Sequence, residues 1–117
     1  MAGWDTVLPG VRIEIGPTRY RVTDLMISLG PRPSGPVVTV PPLLCIEVIS
    51  PDDRFVPMQD RIQDYLSMGV RCVWMIDPET RHAWVFTQNT VREAQDGFLR
   101  LSELSVAVPL TEIFADL

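Results

Sequence analysis

Two carboxylates stand where carboxylates are costly. Asp24 lies in the largely apolar strand stretch Tyr20–Leu29, and Glu47 lies in Leu43–Ile49, the most apolar run of the chain. A carboxylate inside a buried strand is unfavourable unless it is paired or bound to a cation. One such residue is an accident any sheet end allows. Two, on strands that can neighbour each other, point to a shared divalent ion, and oxygen donors select Mg2+ or Mn2+. Two other readings stay open on the pattern alone. Asp24 faces solvent, because Arg21–Leu25 does not alternate strictly, or Glu47 pairs with an arginine of the following helix.

The elements that must hold these residues are legible in outline. Val11–Ile15 alternates apolar and polar and reads as a half-buried strand. Gly16-Pro17-Thr18 is a turn, and Tyr20–Leu29 reads as the second strand of a hairpin. Gly30–Pro36 is a stiff surface loop. Leu43–Ile49 is nearly continuous in apolar residues, so it is expected in the centre of a sheet, buried on both faces. Phe55, Met58, Ile62, Tyr65 and Leu66 recur at helical spacing, with Pro57 suited to a first turn and Gly69 to the residue after the last, so a helix is predicted over 55–68. Val70–Ile76 and His82–Thr87 read as strands joined by a turn at 77–81. Val91–Leu101 reads as a weaker edge hairpin around Asp96-Gly97, and Pro109–Phe114 as one closing helical turn. The expected fold class is α/β, a mixed β-sheet with one main helix. No early segment is helical enough to cover the second face of that sheet, so a partner subunit is expected to cover it, or the chain is a shortened form of a larger fold.

Composition bounds the function. The chain has 117 residues, enough for one domain over 1–117 with a core of its own. Its ten basic residues are all arginine, against 15 acidic ones, for a net charge of −5. The missing lysine excludes Schiff-base and P-loop chemistry. An acidic domain that acts on nucleic acid needs a local arginine or a metal ion to reverse the sign of its field. Cys45 and Cys72 sit in apolar runs and read as buried hydrophobes. Neither a signal peptide nor an 18-residue apolar stretch is present, so no membrane association and a cytoplasmic location are expected.

The stretches Arg19–Leu25, Pro42–Pro51 (PLLCIEVISP), Arg61–Tyr65, Gly69-Val70 and Trp74–Pro78 resemble the Uma-two family of restriction-endonuclease-like proteins, part of the PD-(D/E)XK nuclease superfamily. The resemblance runs from about residue 11 to the end. It implies a restriction-endonuclease-like core whose strand aspartate falls on Asp24 and whose metal-binding glutamate falls on Glu47. The family's proline before the aspartate is Thr23 here. The superfamily lysine two positions after the glutamate falls on Ile49. A basic residue on the next helix takes over its role in the family, usually lysine, and that position is Arg61. An acidic residue common one turn earlier is Pro57. The family's N-terminal helical region is missing, so the core is expected to be N-terminally shortened.

The resemblance implies metal-dependent hydrolysis of DNA phosphodiester bonds. Asp24, Glu47 and the backbone carbonyl of Val48 would hold Mg2+ or Mn2+. Arg61, three positions after Met58 and four before Tyr65, edges the buried helix face and is placed to stabilise charge on the phosphate. It stays protonated, so it is no general base. The alternative is a catalytically inactive remnant of the fold acting as a binding or dimerisation module. A homodimer is expected, to hide the uncovered sheet face. Asp77 reads as a turn residue, His82 as a partly exposed filler, and Arg12, Arg19 and Arg21 as scattered solvated charges or a strip for a phosphate backbone.

Overall fold

The computed structural model describes residues 6–28, 35–101 and 106–115. Its elements in order are β1 (Thr6–Pro9), β2 (Arg12–Gly16), β3 (Arg19–Val22), β4 (Leu25–Ser28), β5 (Val37–Val38), β6 (Leu44–Val48), α1 (Phe55–Met68), β7 (Cys72–Asp77), β8 (His82–Phe86), β9 (Val91–Glu93), β10 (Phe98–Leu101), β11 (Val106–Pro109) and α2 (Leu110–Ala115). The main sheet has six strands in the order β1-β4-β6-β7-β8-β9, with β10-β11 and β3-β2-β5 as two smaller sheets. β6 and β7 run parallel and the other neighbours of the main sheet are antiparallel, so the sheet is mixed, as expected.

The apolar run Leu44–Val48 lies inside this sheet between β4 and β7, buried from both sides. Side chains of alternate parity go to opposite layers. Met26, Cys45, Val73 and Met75 pack against Ile62, Tyr65 and Leu66 of α1 and against Ile13 and Val38 of the small sheet. Ile27, Leu44, Ile46, Trp74 and Ile76 face the other way, onto Leu99, Leu101 and Phe114. α1 matches the helix predicted over 55–68. Its stop is local: Gly69 has φ 112°, and its N–H donates back to Leu66 O at 3.1 Å.

Three expectations need correction. The stretch from Tyr20 onward is not one strand. It breaks at Thr23-Asp24, sending β3 to the small sheet and β4 to the main one. Backbone bonds from Thr23 N–H to Val11 O and from Gly10 N–H to Asp24 O, both 3.1 Å, hold the break. The Thr23 hydroxyl donates to Leu25 O at 3.0 Å, with Ile46 O at 3.3 Å as a second acceptor, so a buried side chain replaces the missing ladder bonds. Leu29, and residues 30–34 of the predicted loop, lie outside the described residues.

The hairpin expected over 91–101 does not form either. β9 pairs with β8 and β10 pairs with β11, so the turn at Asp96-Gly97 joins two sheets. That connection produces the third correction. β10 and α2 lie on the sheet face that was expected to be bare, and Leu99, Leu101 and Phe114 are at most 5% exposed there. The sequence reading missed this cover because β10 and α2 are short segments with little apolar pattern of their own.

Candidate active site

The break at Thr23-Asp24 sets the geometry. In the ladder between β4 and β6, Met26 is opposite Cys45 and Leu25 is opposite Ile46. One further step places Asp24 opposite Glu47. Glu47 shares the parity of Cys45, so its carboxylate is on the α1 side of the sheet, and the Asp24 carboxylate is near enough to act on it. β4 has ended there, and the N–H of Val48 lacks a ladder partner from it. The Asp24 carboxylate takes that place: Val48 N–H donates to Asp24 Oδ2 at 2.7 Å. In an extended strand the N–H and C=O of one residue point to the same edge. The Val48 carbonyl is therefore directed toward Asp24 as well. The three sites predicted on these strands come together at one end of β6.

Arg61 reaches the same place from α1. Its guanidinium lies 3.8 Å from Glu47 Oε2 and 3.3 Å from Asp53 Oδ1. Asp53 is held in turn by the loop before the helix, since Ser50 N–H donates to its Oδ2 at 2.9 Å. That backbone hydrogen bond, aided by Arg61, lowers the pKa of Asp53. The reading of Glu47 paired with a helix arginine and the reading of two neighbouring carboxylates thus hold at once, whereas Asp24 is indeed solvent-exposed.

Glu47 is the costly member. It is 2% exposed, and its Oε1 lacks a hydrogen-bond partner among the described residues. Burial is the main cause that raises its pKa, to about 7, and the Asp24 charge raises it further, while Tyr65 and Arg61 work the other way. A buried acceptor left unsatisfied beside a second carboxylate is the arrangement a bound cation relieves. Two carboxylates and a carbonyl are few donors, and among the described residues no group of three His, Cys, Asp or Glu side chains converges anywhere. Mg2+ accepts such a set, because it keeps several waters and takes remaining ligands from substrate phosphates. The residues fit the ion.

Two members of the site escaped the sequence reading. Asp53 was visible only as part of a strand-ending Ser-Pro-Asp-Asp run, and Tyr65 only as one apolar position of a helical stripe. The other candidates separate from the site. Asp77 caps its turn, accepting from Glu79 and Thr80 N–H. His82 pairs with Glu93 at 3.0 Å on an exposed rim. Arg19 and Arg21 converge on Asp64 of α1 at 3.0 and 2.6 Å, pinning the β2–β3 hairpin to the helix. They are neither scattered nor free to form a phosphate strip. Cys45 and Cys72 are buried, as expected.

With that geometry in place, comparison with known proteins decides the family. Residues 3–115 match the family Uma2, described as "Putative restriction endonuclease". The chain belongs to this family. Among solved structures it is similar to one described as a "putative nuclease belonging to DUF820" from Anabaena variabilis ATCC 29413, with a TM-score of 0.78 at 19% identity. The match covers 93% of this chain and 67% of that one. The Uma2 chain thus has a restriction-endonuclease-like α/β fold. No curated protein matches it. Among its described residues no helix is long and apolar enough to cross a membrane.

Proposed function

We propose that this Uma2 domain is a metal-dependent endonuclease that hydrolyses DNA phosphodiester bonds. The observation that carries the reading is the unsatisfied, buried Glu47 Oε1 beside Asp24, at the end of a central strand, with an arginine on the same carboxylate. Asp24, Glu47 and the Val48 carbonyl would hold Mg2+ or Mn2+. When bound, the ion supplies Lewis acidity and a water of lowered pKa.

The chain's own residues do the rest. Asp24 is exposed and anchored by Val48, so it meets a ligand from solvent without a change of strand register. Glu47 sits behind it in a dry wall, where electrostatic interactions are strong. Arg61 can donate two parallel N–H bonds to phosphate oxygens, and Asp53 keeps its fork from collapsing wholly onto Glu47. In an acidic domain, Arg61 and the cation together provide the local reversal of sign that a polyanionic substrate requires. Such a substrate agrees with a cytoplasmic location.

The test is cleavage of supercoiled plasmid DNA in Mg2+ or Mn2+, with Glu47→Gln and Asp24→Asn as controls. Metal-dependent nicking by the unmutated protein, lost in both variants, supports the reading. Absence of nicking with either ion refutes it. The rival, an inactive remnant serving as a binding module, is favoured by one observation: Arg61 already pairs with Glu47 Oε2 and Asp53 Oδ1 without any ligand. DNA retention without cleavage separates the two. Homodimerisation keeps a narrower basis than a bare sheet face, namely the edge strand β1, whose outer side has no strand neighbour among the described residues. Light scattering that gives a monomer across concentrations removes it.

A further inference from the structure

α1 presents two residues to Glu47, not one. Arg61 and Tyr65 are four positions apart and so stack on one helix face. Arg61 faces Glu47 Oε2. Tyr65 is fully buried among Ile13, Cys45 and Val73, and its hydroxyl lacks a hydrogen-bond partner among the described residues. So does the remaining carboxylate oxygen, Glu47 Oε1. The two groups are near enough to perturb each other's acidity. Two unsatisfied atoms, one able to donate and one only to accept once ionised, thus share one small buried region. A buried phenol that makes no bond would be replaced at little cost by phenylalanine, since an orphaned hydroxyl is a liability.

We propose that Tyr65 is a positioning residue of this site: its hydroxyl donates to Glu47 Oε1, holding Oε2 toward the cation and Arg61. Hydrogen bonds of active-site groups commonly tighten only in the loaded state. Carboxylates that ligate metals are themselves generally hydrogen-bonded, and loss of such a partner costs about 10–100-fold in metal affinity. The functional meaning of the contact rests on the metal reading above, but the contact itself does not.

Tyr65→Phe tests it with two readouts. The first is metal-free. At pH 9 in chelator, the infrared difference between the unmutated protein and Glu47→Gln isolates the carboxylate stretch of Glu47. In Tyr65→Phe that band is expected to shift, because the ion has lost its donor. The second is Mn2+ affinity by calorimetry, expected to fall at least tenfold in Tyr65→Phe while its metal-free melting temperature stays within a few degrees. An unshifted band overturns the proposal, whatever happens to affinity. A shifted band with Mn2+ affinity unchanged within twofold also overturns it, because the contact then positions nothing for the ion. A shifted band in a protein that binds no Mn2+ in unmutated form upholds the contact and refutes the metal reading instead.

Discussion

Glu47→Gln turns the cost of the site into a measurable slope. The carboxyl group ionises at about 7 in the fold against 4.5 when unhindered. Between those values the folded chain holds a proton that the unfolded chain has released, so stability falls as pH rises. The contribution is fully present below about pH 4.5 and lost by the time pH has passed 7. A gap of about 2.5 pH units at 1.36 kcal/mol each is roughly 3 kcal/mol. Little screening reduces it, because the side chain is 2% exposed. Glutamine has the same shape and no charge to bury. In chelator, the unmutated protein should therefore match or exceed Glu47→Gln near pH 4.5 and be less stable by about 3 kcal/mol at pH 8. For a domain of this size that is a melting-temperature difference on the order of 10 °C. The difference curve removes the titrating groups that do not interact with Glu47. A cation at a hundredfold excess over its dissociation constant adds about 2.7 kcal/mol. Saturating Mg2+ at pH 8 should thus nearly restore the unmutated protein and leave Glu47→Gln unmoved. Parallel pH curves for the two proteins in chelator would refute the reasoning, since they would mean that Glu47 is hydrated or fully neutralised by Arg61.

Three other substitutions probe separate links of the argument. Arg61→Ala should cut plasmid cleavage by at least tenfold with metal binding retained, whereas Arg61→Lys should keep most of it, because the ammonium retains the positive charge at the phosphate though not the paired N–H bonds. Phe114→Ala removes a buried anchor of α2 from the sheet. It should cost about 3–5 kcal/mol in urea unfolding if that helix covers the face as described, and near zero if it does not. Gly69→Ala should destabilise by about 1 kcal/mol or more in thermal melts, since φ is 112° and a Cβ would approach Pro41 to 3.1 Å.

How much of this was readable without tertiary structure follows from the range of the forces involved. α1 was legible to its ends because its determinants are local: an apolar stripe, Pro57 near its start and Gly69 after its last turn. Glu47 stood out because an ionisable residue in an apolar run is anomalous wherever the run folds. Arg61 took its place from helical periodicity once the helix was known. Only the tertiary structure decided that Asp24 meets the end of β6 beside Glu47, because that depends on which residue of β4 pairs with which residue of β6. A slip of one position would undo it, and nothing within either strand reports the register. The break at Thr23 likewise needed Val11, Leu25 and Ile46 as partners. The cover supplied by β10 and α2 was invisible for the same reason. Segments of four to six residues carry little pattern of their own, and their burial is decided by the sheet they land on.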